Sequence, residues 1–383
     1  MENYGQRIPQ NYHRVDAFLN DWFTIPRRYE IKRFLGRGTQ GCVALGYDTQ
    51  RRIDVAIKKI YLPEDLMARP PFRRAYRELF CMRHISHPNI VKFYDAFTPY
   101  QSAEEMREFY IVREYLDGTM SQLPYEEMTH DHVQKIIHDI CRGIHHLNNL
   151  GISHRDLKPT NILITETTDV KLCDFGQSNI TDPFMGNTPY IIMRYYRAPE
   201  IVCHINGFDN KKVDIWSIGC IFAQLLFGQI LFPGADHVDQ FQRFGQVLGS
   251  PPASFYERMD THVRQFLENM ERYPSRNFED IFPNTSFLSN LRQSPELCDS
   301  ARDLLQKMLV VDPENRLAID RVFEHPYIKE YSDDFQGEDL LCYNRFREVY
   351  RWEQFIDAAT HRDEIFNELQ NIAFAQAENL PDL

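Results

Sequence analysis

The chain's 383 residues are more than one small core requires and suit two lobes. With 43% hydrophobic and 26% charged residues it is globular, and a net charge of -12 excludes sequence-independent binding to nucleic acid while allowing an acidic patch for basic peptides. Eight scattered cysteines without a CxxC pair disfavour zinc and suit reduced thiols. The start, MENYGQRIPQ, lacks the apolar core of a signal peptide. The longest apolar run, Val213 to Phe227, is too short and too interrupted to span a bilayer. The expectation is a soluble protein of the cytoplasm, with the nucleus as a second site.

Taken in chain order, YEIKRFLG from Tyr29, GCVALGYD from Gly41 and IDVAIKKI from Ile53 alternate or are β-branched, and predict three strands. Residues 72–83 place Phe72, Ala75, Leu79 and Met82 on one helical stripe. NIVKFYDAF and FYIVREYL add two strands. The pattern then turns helical: Val133, Ile136, Ile137, Ile140, Ile144 and Leu147 keep a period near 3.6, and residues 213–226 are apolar on nearly every face. Residues 300–310, 318–324 and Phe346–Phe355 complete the predicted helices. The boundary between the β-rich and helical parts is expected at Leu116-Asp117-Gly118.

The chemistry gathers in five motifs. Gly36-Arg37-Gly38-Thr39-Gln40-Gly41-Cys42-Val43 puts three glycines between two strands, where backbone amides can approach phosphate oxygens. Lys58 follows in VAIK. His154-Arg155-Asp156-Leu157-Lys158-Pro159-Thr160-Asn161 and Asp174-Phe175-Gly176 supply what phosphoryl transfer needs. Asp156 is a carboxylate for the attacking hydroxyl and Lys158 a cation for the transferred phosphate; Asn161 and Asp174 offer oxygen ligands for two metal ions. Ala198-Pro199-Glu200 closes the series. A glycine hairpin or a strand lysine is weak evidence alone, whereas all five in order leave chance no room.

On these motifs the chain resembles the eukaryotic protein kinases from Tyr29 to about Tyr327, which implies an α+β bilobal fold. The implied parts are an N-terminal extension (1–28), a β-rich N-lobe (29–117) and a helical C-lobe (118–330) with an insert near 235–295. An extension, 331–383, would fold back toward the N-lobe. The resemblance implies MgATP, with Lys58 on the nucleotide phosphates and paired to Glu78, and Glu114 and Leu116 at the adenine. It also implies a bracing role for Asp214 and a buried Glu200–Arg316 ion pair.

Thr188-Pro189-Tyr190 before RYYRAPE resembles the MAP kinases, specifically the c-Jun N-terminal kinase branch. FTPYQSAEE, ILFPGADHVDQ, ARDLLQKMLVVDPENR and HPYI agree, and Trp352-Glu353-Gln354-Phe355-Ile356 resembles the family's returning helix. Dual phosphorylation at Thr188 and Tyr190 by an upstream dual-specificity kinase is implied. The phosphothreonine would meet Arg155, Arg74 and Arg77, and the phosphotyrosine Arg194 and Arg197. The same resemblance implies Ser/Thr-Pro sites in protein substrates, counteracting phosphatases and a monomer. It also implies docking peptides that meet Asp333, Asp334, nearby Glu338 and Asp339, and an apolar groove at Leu123 and Met128.

Four departures from the family stand out. Arg113 occupies a position that is usually apolar, and is expected to reach an acid or solvent. Met193 replaces a threonine that supports Asp156 and Lys158; Gln177 and Asn179 replace a leucine and an arginine. Cys173, ahead of Asp174, reads as a buried thiol. Arg113 and Met193 make a scaffold with weak or absent catalysis the rival reading, opposed by the intact Lys58, Glu78, Asp156, Lys158, Asn161 and Asp174. A small-molecule kinase is disfavoured by APE and the Thr-Pro-Tyr loop.

Overall fold

The computed structural model describes residues 8–18, 21–38, 41–65, 69–180, 194–203, 205, 208–329 and 357–378. They divide into two compact units, one of residues 1–86, 91–116 and 351–383, the other of residues 87–90 and 117–350. Of the residues singled out in the sequence, Thr39, Gln40, Thr188, Tyr190, Met193, Asp333, Asp334, Glu338, Asp339 and residues 346–356 lie outside the described residues.

The first unit is built on an antiparallel sheet of β3 (Tyr29–Arg37), β4 (Gly41–Asp48), β5 (Ile53–Tyr61), β6 (Phe93–Phe97) and β7 (Glu108–Glu114), ordered β3-β4-β5-β7-β6. Alternation along β7 explains how the sheet buries both faces. Tyr110 and Val112 join one core cluster with Phe23 and Ile25, whereas Phe109 and Ile111 join another with Phe72, Ala75 and Leu79. The first face is roofed by a hairpin, β1 (Tyr12–Phe18) and β2 (Asp21–Pro26), in what the sequence reading left as an extension. Phe23 and Ile25 alternate with Trp22 and Thr24, so the period of two was there to be read.

The second face carries α1 (Arg69–His84), and against it packs a C-terminal helix, Ala358–Glu378. Its Ile365, Leu369 and Ile372, spaced by four and three, enter the same core as Phe72 and Leu79. Glu368 ties the two helices at the rim, bonding Arg83 at 2.5 Å and His84 at 3.2 Å. Near the start of the helix the His361 ring packs edge-on to Tyr76, with its Nδ1 2.6 Å from the Asp357 carbonyl.

The second unit is helical. Thr129 caps α2 (His130–Asn149) by accepting the His132 N–H, and α2 packs on the helix Lys211–Phe227, whose residues 213–226 are all buried. Gly228, at φ +74°, closes that helix in the left-handed conformation a Cβ would resist. Arg316 reaches Glu200 through two parallel bonds of 2.7 and 2.8 Å with both side chains fully buried, and lies over the Trp216 ring. Removing either partner would strand a buried charge, at a cost of about 3–5 kcal/mol.

Burial, reinforced by Arg73 and Arg77, depresses the His361 pKa to about 4. A folded-state value below the unfolded one near 6.5 means that unfolding takes up a proton. This contribution to stability is therefore complete above about pH 6.5 and is lost as pH falls toward 4. His361→Gln is expected to remove at most about 1.4 kcal/mol per pH unit from the slope of stability across that window. Denaturant titrations of wild type and variant with parallel pH profiles would contradict the assignment.

Candidate active site

A single carboxylate organises the loop that carries Asp156. Asp214, fully buried, accepts the backbone N–H of His154 and of Arg155, each at 2.8 Å. Two charge-assisted bonds hold Arg155 at φ +65°, a left-handed conformation that disfavours side chains and typically costs about 1–3 kcal/mol. Burial pushes the Asp214 pKa up, and the two N–H donors and nearby His154 act against that rise. His154 meets the Cys173 carbonyl at 3.1 Å and packs on Phe175, so the loop is registered to the segment that carries Asp174. Asp174 itself sits at φ +70°.

The turn that follows brings together three of the predicted groups. Lys158 Nζ donates to Asp156 Oδ2 at 2.7 Å, and Asn161 Nδ2 donates to the same oxygen at 3.0 Å and to the Asp156 carbonyl at 2.9 Å. Burial raises the Asp156 pKa; Lys158 opposes the rise and the Asp174 charge adds to it, which places all of these groups within electrostatic reach. With its amide nitrogen committed to Asp156, Asn161 has its carbonyl oxygen to offer a metal, alongside the Asp174 carboxylate. Those are hard oxygen donors, and among the described residues no group of three or more His, Cys, Asp and Glu forms a metal cage. That donor set fits a magnesium ion arriving with a nucleotide, which typically takes one or two protein oxygens.

In the first unit, Lys58 on β5 pairs with Glu78 of α1 at 2.5 Å, both largely buried. Gly36 and Gly38 face open space: a Cβ on either meets nothing within 4 Å, so backbone there is open to a phosphate. Gly41 is different, because a Cβ there would overlap the Lys59 carbonyl. Of the other residues predicted in this loop, Arg37 turns to Asp21 at 2.6 Å. The Cys42 thiol is buried and donates to Asp21 at 3.1 Å, while Val43 pairs with Lys58 across the ladder. Glu114 closes β7, bonding through its backbone N–H to the Lys92 carbonyl at 2.8 Å, and Leu116 is half-buried at the end of the unit.

Arg74 and Arg77 are half-buried on α1, Arg194 donates to the Ala235 carbonyl, and Arg197 is buried. Arg113 was expected to reach an acid or solvent; among the described residues it pairs with no acid, and its guanidinium makes only a long 3.5 Å contact with the Glu114 carbonyl. Met128, expected to line a docking groove, is buried, at 3% exposed. Leu123 remains half-exposed. Cys173 is buried, donating to the Asn161 carbonyl at 3.4 Å. The reading missed Lys59, a buried lysine bonded to the Trp22 carbonyl at 2.6 Å and to Glu108 at 2.8 Å, which ties β5 to the β1–β2 hairpin.

Residues 29–328 match the family model described as protein kinase domain. The stress-activated protein kinase jnk-1 of Caenorhabditis elegans is 37% identical over 375 residues, covering 97% of this chain and 79% of that protein. The stress-activated protein kinase JNK of Suberites domuncula is 38% identical over 311 residues, covering 81% and 85%. That of Drosophila melanogaster is 39% identical over 325 residues, covering 85% and 86%. The chain belongs to the protein kinase family, and within it to the stress-activated, c-Jun N-terminal kinase-like branch. It is a serine/threonine protein kinase, which implies ATP with a divalent metal and protein substrates. No helix among the described residues is long and apolar enough to cross a membrane.

The glycines separate by experiment. Gly41→Ala is expected to cost about 1–3 kcal/mol by forcing β4 off β5, whereas Gly36→Ala and Gly38→Ala leave the melting temperature within about 1 °C. Equal melting temperatures for all three would remove the distinction between a structural glycine and an open phosphate cradle.

Proposed function

We propose that this kinase is proline-directed, that it transfers the γ-phosphate of MgATP to Ser/Thr-Pro sites, and that phosphorylation of Thr188 and Tyr190 by an upstream dual-specificity kinase switches it on. The single observation carrying this reading is the cluster of Asp156, Lys158 and Asn161, held in place by Asp214. When bound, magnesium neutralises charge on the phosphates. Asp156 orients the substrate hydroxyl and accepts its proton; Lys158 sits against the transferred phosphate. Asn161 and Asp174 hold the metal by their oxygens, and Lys58, fixed by Glu78, anchors the α- and β-phosphates. Gly36 and Gly38 admit the phosphates to the backbone, with Glu114 and Leu116 at the adenine.

The regulatory reading rests on the sequence and on the likeness to stress-activated protein kinases. Each added phosphate carries about -1.5 to -2 charge and recruits arginines, with Arg155, Arg74 and Arg77 assigned to Thr188 and Arg194 and Arg197 to Tyr190. Proline after the target residue suits a pocket shaped by the Arg194–Arg197 segment, since proline needs no backbone partner. Basic docking peptides would meet Asp333, Asp334 and Leu123, and phosphatases would reverse the switch. The protein would act as a monomer in the cytoplasm and nucleus.

The doubly phosphorylated chain is expected to phosphorylate a Ser-Pro peptide at least about 10²-fold faster than its Asp156→Asn variant, and to disfavour the matching Ser-Ala peptide. Transfer no faster than that of the variant would end the enzyme reading; equal use of both peptides would end proline direction. Because burial and Asp174 raise the Asp156 pKa, and the base must be ionised, activity is lost on acidification at a pH above that of an ordinary aspartate, near 3.9. Arg113, two residues beyond Ile111 on β7, shares the α1 side of the sheet with it. Arg113→Met should tighten inhibitors that fill the space behind the adenine, and unchanged affinity would show that the side chain already points away.

A further inference from the structure

Beyond the phosphoryl-transfer site, the first unit holds a half-open cavity of about 740 Å³, lined by Asn11 and Tyr12, Pro26 to Arg28, the Gln50–Arg51 turn, Asp95 to Phe97 of β6, and Ala373 and Gln376 of the C-terminal helix. No step of the proposed reaction uses it. Its volume falls in the range of small-molecule sites, roughly 300–1,000 Å³.

The walls combine two chemistries. Tyr12, Pro26, Ala96, Phe97 and Ala373 provide an apolar lining, with the Tyr12 ring edge-on to Phe97 at 5.9 Å. Three guanidinium groups share the cavity with one carboxylate. Asp95, buried, is satisfied by Arg28, by the Tyr29 hydroxyl at 2.7 Å and by Gln376 Nε2 at 2.5 Å, so it forms a neutralised floor. Arg51 is paired with Asp48 at 2.8 Å. Arg27 is exposed, and the one described bond of its guanidinium runs to the Gln10 carbonyl at 3.4 Å, so the side chain has no acid partner among the described residues. Burial and the Asp95 charge push the Tyr12 hydroxyl up to about 12, so it stays neutral and donates to the Thr98 carbonyl at 3.3 Å. On a chain of net charge -12 this is a concave, apolar site with a cationic rim.

We infer that this cavity is a binding site for a small aromatic anion, a carboxylate or phosphate monoester on a flat ring, with the ring against Tyr12 and Pro26 and the charge at Arg27 and Arg51. Its occupancy is linked to the C-terminal helix. Gln376 bonds the Asp95 floor from that helix, and the same helix packs on α1, which carries Glu78. A ligand filling the gap holds the C-terminal helix to the sheet, and in doing so stiffens α1.

The test is an NMR titration of the full chain, saturated with MgADP, against benzoate, phenyl phosphate and benzylamine. The two anions are expected to shift resonances of Arg27, Gln50, Ala96, Ala373 and Gln376, and to slow amide exchange in 358–378. Benzylamine is expected to leave them unmoved. Which anion binds more tightly distinguishes a carboxylate ligand from a phosphate. Arg27→Ala/Arg51→Ala should weaken the anions at least tenfold, and Arg27→Lys should restore part of the loss, which controls for misfolding. Silence of those resonances with up to 20 mM of either anion overturns the inference, as does binding of benzylamine there or an unchanged affinity in the double variant. Kinase activity of the unliganded protein plays no part in the readout, so failure here leaves the proposed function standing.

Discussion

Two N–H groups and one carboxylate hold the site. The backbone at Arg155 occupies a conformation that an isolated chain avoids, and the bonds from His154 and Arg155 to Asp214 offset that strain. Only with the loop turned this way does the chain deliver Asp156, Lys158 and Asn161 to one another within 3.0 Å. Burial makes the arrangement exacting. In a dry setting an unmatched N–H is expensive, and a carboxylate without its donors would rather be protonated.

The same logic recurs at a distance from the chemistry. Glu200 and Arg316 are buried and mutually satisfied, and Lys58 pairs with one oxygen of Glu78. In the first unit the charge on Glu78 is placed by a helix that is itself clamped, because the C-terminal helix fills the outer side of the α1 core and grips its end through Glu368. The apolar stripe of Ile365, Leu369 and Ile372 thus bears on a residue far away in sequence. The β1–β2 hairpin does the corresponding work on the opposite face, where Lys59 holds β5 to the Trp22 carbonyl.

Much of this was legible from residue order alone. The five central strands announce themselves by alternation, α1 and α2 by period, and the HRDLKPTN and DFG motifs by chemistry too specific for chance. Three features escaped for physical reasons. The β1–β2 hairpin was passed over because Trp22 and the charged residues around it look like an exposed extension, although Phe23 and Ile25 are fully buried. The helix Ala358–Glu378 is hard to see in the sequence because alanine and glutamate dilute a stripe only three residues deep; the helix expected at 346–355 lies outside the described residues. The surroundings of Arg113 and Met128 are set by tertiary packing, which no local pattern encodes: Arg113 is half-buried with no acid partner among the described residues, and Met128 is buried.

Replacing Asp214 tests the central claim most directly. Asp214→Asn keeps the size and one acceptor but turns an NH₂ toward a backbone N–H, so the loop loses one bond and gains a repulsion. Steady-state kinetics of the doubly phosphorylated variant should show kcat down by about 10²-fold or more with the KM for ATP nearly unchanged, since small misplacements of reacting groups are costly in rate. A folded Asp214→Asn protein with wild-type kcat would contradict the account, because the loop geometry would then owe nothing to that carboxylate.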